Sequence, residues 1–324
     1  LRGWREARMK TKKSLTSYLP KTGAIYGIIL FLLVFSLSVD NYTSINNFTN
    51  IARQAAVLCI LTICAFLAIL THQLDLSIGG ICGLTGMVVA VLLEKQAPLP
   101  VACLAGLATG VAFGMVNGLL AGMTTIPTFI VTLATMNIAE SLGMVIRTGT
   151  IQITNSTFVW LSNGSIGPIP FPLLLVAVIY LIFWYILKYR PYGTRLYAVG
   201  GKEEAALTAG INVKRTKVSV YLINGFLSGL AGILMASRLS SANPSAAMGY
   251  ELDAICGTVL GGTALTGGRG KIGGAFLGAI AISMLRNGMN MMGLRLVTQK
   301  MVIGAVLIII LAVDVLRKES RQAR

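Results

Sequence analysis

Apolar runs of membrane-crossing length recur from Gly23 to Leu316, and this recurrence constrains the chain more than any other feature. The hydrocarbon core of a bilayer takes about 20 predominantly apolar residues as a helix, because backbone polar groups there must be satisfied within the protein. On that length the chain divides into ten segments. They lie near 23–39, 51–71, 74–93, 98–121 and 126–146, then near 170–187, 217–237, 251–266, 271–291 and 297–316. The expected fold is all-α, a polytopic membrane helix bundle of about ten transmembrane segments. A soluble domain carries about 25% charged residues. This chain carries 12%, with 55% hydrophobic residues and a mean hydropathy of +0.77, which excludes a water-soluble globule. The segments 74–93 and 251–266 are interrupted by glycine, so a broken or re-entrant helix stays open for each.

A net charge of +16 first suggests a polyanionic partner, so the placement of the basic residues decides its meaning. Seven lie between Arg2 and Lys21, seven between Lys188 and Lys217, two at Arg269 and Lys271, and four between Arg317 and Arg324. Apolar spans separate these groups, as the positive-inside rule requires, whereas a nucleic-acid groove needs one folded basic face with stacking aromatics. Nucleic acid is therefore excluded as a partner. Ten crossings put all four clusters on the cytoplasmic side. The expected organisation is a cytoplasmic basic segment 1–22, a membrane domain 23–316 with a cytoplasmic loop 188–217, and a cytoplasmic basic tail 317–324. Met9 is a candidate start. The basic stretch and the run 23–39 resemble the first parts of a signal peptide, but no clear small-x-small cleavage site follows, and the run is read as the first crossing.

Metal and nucleophile chemistry find little material. Cys59, Cys64, Cys82, Cys103 and Cys256 sit inside apolar runs without the paired spacing of a zinc site or disulfide framework, and His72 is the single histidine. Residues 257–274 contain Gly268-x-Gly270-x-x-Gly273, but that glycine pattern binds dinucleotides only between a strand and a helix. Gly270-Lys271 approaches a phosphate-binding loop, yet Leu265 and Ile272 stand where the first glycine and the metal-binding hydroxyl would be. No ATP site or cofactor is expected in this chain. ATP, if used, is hydrolysed by a partner.

Glycine marks the packing. Gly106, Gly110, Gly114 and Gly118 recur every fourth residue and line one helix face, and Gly79/Gly83, Gly225/Gly229 and Gly274/Gly278 repeat the spacing. A weak internal repeat is also visible. Leu74-Asp75, Ile81-Cys82-Gly83 and Asn117-Gly118 recur as Leu252-Asp253, Ile255-Cys256-Gly257 and Asn287-Gly288. Either the chain holds two inverted five-helix halves, an arrangement common in transporters, or glycine-rich apolar helices coincide by chance.

Ionisable residues at membrane depth are costly and are candidate functional groups by default. They are Asp75, Glu140, Glu251 and Asp253. Asp75, Glu251 and Asp253 stand at segment starts, where capping is the competing role. Glu140 lies in a polar stripe with Thr135 and Asn137 and is the strongest single candidate to face a pathway. Asn117, Asn137 and Asn287 suit hydrogen bonding to a neutral polyhydroxylated solute. In the loop 188–217, Glu203-Glu204-Ala205-Ala206 followed by Gly210-Ile211 reads as a short helix ended by a C′ glycine, too short to stand without tertiary support or a partner.

Leu74-Asp-Leu-Ser-Ile-Gly79, Glu204-Ala-Ala-Leu-Thr-Ala-Gly-Ile211, and Glu251-Leu-Asp-Ala-Ile followed by Gly261 to Gly270 together resemble the permease subunits of ribose-type ATP-binding cassette sugar importers. The resemblance covers nearly the whole chain after Lys21; Cys256 stands where alanine is expected. It implies a bacterial inner-membrane subunit that translocates a monosaccharide or sugar-like solute. It implies as partners a cytoplasmic ATP-binding subunit, an extracytoplasmic solute-binding protein, a second permease subunit, identical or related, and the membrane lipid around the permease subunits. Residues 203–211 would form the coupling helix that enters a groove on the ATPase. An ion-coupled secondary transporter is the alternative, and it would require Glu140 and Asp75 to be essential. An enzyme lacks support, because no nucleophile stands beside a base or metal cluster.

Overall fold

The computed structural model describes residues 23–322, so the basic segment expected at 1–22 and the last two residues of the tail lie outside the described residues. Helices account for almost all of the architecture. They are α1 (Gly23–Ser38), α2 (Ile45–Leu70), α3 (Ser77–Glu94), α4 (Leu99–Met123), α5 (Thr128–Ile146), α6 (Ser156–Asn163), α7 (Phe171–Tyr189), α8 (Pro191–Gly201), α9 (Glu203–Thr208), α10 (Val213–Leu239), α11 (Tyr250–Leu260), α12 (Ile272–Met291) and α13 (Leu296–Gln322). Four two-residue strands complete it: β1 (Ile151–Gln152), β2 (Ser165–Ile166), β3 (Ile169–Pro170) and β4 (Ser241–Ala242), with β1 antiparallel to β4 and β2 to β3.

Among the described residues seven helices, α2, α3, α4, α5, α7, α10 and α12, are long and apolar enough to cross a bilayer, and α1 and the first part of α13 are shorter apolar helices. The protein is thus an all-α polytopic membrane bundle. The two glycine-interrupted segments differ. The segment near 251–266 is not a full crossing. Its helix α11 has 11 residues, about 16 Å or half the hydrocarbon thickness, and it stops before Gly261 and Gly262, the latter with φ 89°. The segment near 74–93 is one unbroken helix, because its glycines serve packing rather than a break.

Polar caps rather than apolarity set several helix starts. The Ser44 hydroxyl accepts the Asn47 backbone N–H at 3.2 Å, so α2 begins six residues before the expected 51. Asn212 does the same for Arg215 N–H at 2.9 Å and starts α10 at Val213. Asn155 caps α6 through Phe158 N–H at 2.9 Å, which puts an unexpected helix inside the polar stretch 148–167.

The core is centred on α2, buried along nearly its whole length from Ala55 to Leu70. Glycine lets α4 and α10 approach backbone to backbone: a Cβ on Gly110 would collide with the Gly225 carbonyl oxygen, and one on Gly114 with that of Tyr221. Around this centre, α3 packs on α4, α5 and α10, and α11 packs on α12, α13 and α2. The pairs α4–α10 and α12–α2 complete the two sets.

One end of the bundle gathers α8, α9, the α2–α3 turn and the glycine-rich loop 261–271. Gly268 N–H donates to the Leu70 carbonyl at 2.9 Å, and Gly200 lies so close to Leu70 and Gly268 that no side chain fits there. The opposite end carries α6 and the β1–β4 pair. There Ser162 donates to the Leu234 carbonyl at 2.7 Å, and Tyr42 donates to the Met284 carbonyl at 3.0 Å.

Candidate functional site

Asp75 sits at the α8–α9 end, between the C-terminus of α2 and the first residue of α3. The chain reaches it through His72, whose φ of 59° reverses direction after α2. The carboxylate is only 2% exposed. Its Oδ1 accepts the Ser77 backbone N–H at 3.1 Å and the Ser77 hydroxyl at 2.6 Å, and its Oδ2 accepts the Asn224 amide at 2.9 Å. The network continues outward. Asn117 Nδ2 donates to Ser77 Oγ at 2.8 Å, and the Thr135 hydroxyl donates to Asn117 Oδ1 at 2.7 Å. Five buried polar side chains from α4, α5, α10 and the start of α3 are thereby linked, with most of their hydrogen-bonding capacity satisfied inside the bundle. The local Asp75–Ser77 contact is a turn-like cap of α3, and the long-range contact to Asn224 is a lock between helices.

The second buried acidic group is built differently. Asp253, in the first turn of α11, forms an ion pair with Arg286 of α12, whose guanidinium lies over the Tyr250 ring at 4.5 Å from its centroid. Asp253 is 1% exposed, and a buried charge of this kind needs such a partner. Glu251 accepts the Gly249 N–H at 3.1 Å and rests against Gly79 of α3, where a Cβ would collide with its carboxylate. A cleft of about 220 Å³ lies beside these groups, lined by Glu251, Asp253, Arg286, Lys300 and the apolar Leu252 and Ile303.

Asn287 is held apart from both. It exchanges reciprocal amide hydrogen bonds with Asn47, at 3.1 and 3.0 Å, and so fastens α12 to the start of α2 at the end opposite α9. The polar stripe expected on α5 divides between two faces. Thr132 and Thr135 turn inward, whereas Asn137 is exposed and Glu140 half-buried, neither with a hydrogen-bond partner among the described residues. Asn137 stands on the exposed face of α5 with Leu133 and Ile138, whereas Glu140 lies within electrostatic reach of Glu251 on α11.

At the same end as Asp75, α9 is fixed by one buried residue. Ala206, 3% exposed, packs with Val199 of α8 and Val213 of α10. Gly210 has φ 78°, its N–H donates to Leu207 O at 3.0 Å, and Ile211 N–H returns to Ala206 O at 3.0 Å, closing the helix. Glu203 is tied to Lys217 at 2.9 Å. Glu204, Ala205 and Leu207 face outward on a short helix that the bundle holds by its inner side. The preceding helix, α8, was not expected from the sequence. It is the support that the six residues of α9 needed.

Sequence reasoning missed Ser77, Asn224, Asn47 and Arg286. Arg286 and Asn224 each interrupt an apolar run alone, and the rule that singled out Asp75 applies to them equally. Asn47 carried no such signal, because it lay in a stretch read as a loop.

A family model described as a branched-chain amino acid transport system / permease component matches residues 47–311. The chain is 36% identical to the ribose import permease protein RbsC of Escherichia coli (strain K12), over 92% of this chain and 94% of that one. It is 38% identical to the protein of the same name from Bacillus subtilis (strain 168), over 93% and 94%. It is 33% identical to the D-allose transport system permease protein AlsC of Escherichia coli (strain K12), over 95% and 96%. No solved structure matches the chain.

Proposed function

Because the chain belongs to the branched-chain amino acid transport system / permease component family, we propose that it is the membrane-spanning permease subunit of an ATP-binding cassette importer for a monosaccharide or sugar-like solute. The observation that carries this reading is likeness to ribose and allose permeases over more than nine-tenths of both chains. The same likeness supports the importer over the ion-coupled alternative. The subunit itself is not an enzyme. Its ATP is hydrolysed by a cytoplasmic ATP-binding subunit, and its solute arrives from a solute-binding protein outside the membrane.

In this reading, residues 203–211 are the coupling element. A helix gripped through Ala206 and exposed through Glu204, Ala205 and Leu207 can transmit a push from the ATPase to α8 and α10 without unfolding. The Asp75 network would then move as one unit with α10. Both chain ends face the cytoplasm, ten segments including the half-length α11 occupy the membrane, and α1 to α5 and the five later segments α7, α10, α11, α12 and α13 are inverted halves. A second permease subunit covers the exposed face of α5, because Asn137 is poorly placed against lipid. Asn137 and Glu140, with the cleft beside Glu251 and Asp253, are the pathway candidates.

The test is association. The chain with Glu204→Arg and Leu207→Asp should insert normally yet lose the co-purifying ATP-binding subunit. Unchanged recovery of an active ATPase with that variant would remove α9 from the coupling role.

A further inference from the structure

Near the α8–α9 end, α7 and α12 touch and then separate. Tyr180 of α7 and Phe276 of α12 stack edge to face with centroids 4.8 Å apart. One to two turns nearer the end, the two helices leave a cavity of about 620 Å³, within the range of small-molecule sites. Its walls are Trp184, Leu187, Lys188, Tyr197, Lys271 and Gly273. The space exists partly because Gly273 has no side chain, and a Cβ there would meet nothing within 4 Å. Tyr197 is set in place by donating to the Gly270 carbonyl at 3.0 Å.

Two features give the cavity a chemical preference. It holds two exposed lysines, Lys188 and Lys271, and neither forms an ion pair with a carboxylate among the described residues. Lys188 is held over the Trp184 and Tyr189 rings, its Nζ 5.1 Å from each centroid. The cavity also adjoins the apolar flank of α7, where Val178, Leu181 and Ile182 are exposed on a membrane-crossing helix. Tryptophan and tyrosine beside lysine, at the end of such a helix, are the chemistry of the headgroup layer.

We propose that this cavity binds the headgroup of an anionic phospholipid, with Lys188 and Lys271 on the phosphate, Trp184 at the headgroup boundary and the acyl chains along α7. The site does not depend on which solute is transported. An anionic lipid matches both the unpaired positive charge and the apolar flank, whereas a soluble phosphate would use only the first.

The purified full-length protein in mild detergent is titrated with phosphatidylglycerol and separately with phosphatidylcholine, and bound lipid is counted by native mass spectrometry. Phosphatidylglycerol should bind preferentially. The double variant Lys188→Gln, Lys271→Gln should weaken it by about thirtyfold while phosphatidylcholine binding stays unchanged. Gly273→Phe, which fills open space, should displace the lipid without loss of thermal stability. Equal affinity for both lipids, or unchanged phosphatidylglycerol binding in either variant, overturns the proposal. So does competitive displacement of the lipid by the ATP-binding subunit, which would assign the cavity to a protein partner.

Discussion

Replacing Asp75 separates a structural carboxylate from one that carries ions. Asp75→Leu removes three hydrogen bonds, two from Ser77 and one from Asn224, and leaves the donors buried. Interhelical polar contacts in membranes average about 0.6 kcal/mol, and charge-assisted bonds reach about 1.5 kcal/mol or more. Three such bonds therefore amount to about 2–4.5 kcal/mol. At roughly 2 °C per kcal/mol for a chain of this size, the midpoint of thermal unfolding should fall by about 4–9 °C. Asp75→Asn behaves differently. The new amide oxygen still accepts from Ser77, and its NH₂ meets the Asn224 NH₂. Asn224 can answer by rotating its amide, because its Oδ1 is buried without a partner. The cost should stay below about 1 kcal/mol, and uptake should survive. The assay is thermal unfolding of both variants in detergent, with solute uptake in parallel. Equal stability of the Leu and Asn variants would refute the hydrogen-bond account. Loss of uptake in a stable Asp75→Asn protein would refute the view that the carboxylate is a lock.

Asn47→Ala should cost more than Asn287→Ala, because Asn47 also donates to the Tyr42 carbonyl at 2.7 Å, and a double-mutant cycle should give a coupling of about 0.6–1.7 kcal/mol by thermal unfolding. Gly114→Ala should destabilise by about 1–3 kcal/mol, since its Cβ meets the Tyr221 carbonyl, while Gly273→Ala, facing open space, should not destabilise in the same assay. Gly210→Pro forces a negative φ where the chain has 78° and removes the N–H that bonds Leu207. Membrane insertion should persist, and co-purification of the ATP-binding subunit should fall.

The spans were legible because lipid imposes one requirement on every residue of a crossing, and Ile60 or Phe66 meets it visibly in the sequence. Glycine left a break open in both 74–93 and 251–266, and it did not show that only the second stops short, at Leu260 before the paired glycines. Helices α6 and α8 were missed because their supports lie far along the chain: α6 is fixed by Ser162 bonding to α10, and α8 by Gly200 lying against Leu70. Asp75 and Asn117 were singled out as pathway candidates; both are buried, and their meeting through Ser77 depends on a helix crossing that no spacing reveals. Glu140 looked like one stripe with Thr135. The five-residue step between them places the two on different faces of α5, and the apolar residues around both give no hint of which face is covered.

The most direct measurement of the central claim is solute uptake into proteoliposomes holding this chain with its ATP-binding subunit and an externally supplied solute-binding protein. The account predicts uptake that requires ATP and all three components and persists when proton and sodium gradients are collapsed. Uptake by this chain alone, driven by an ion gradient without ATP, would contradict it.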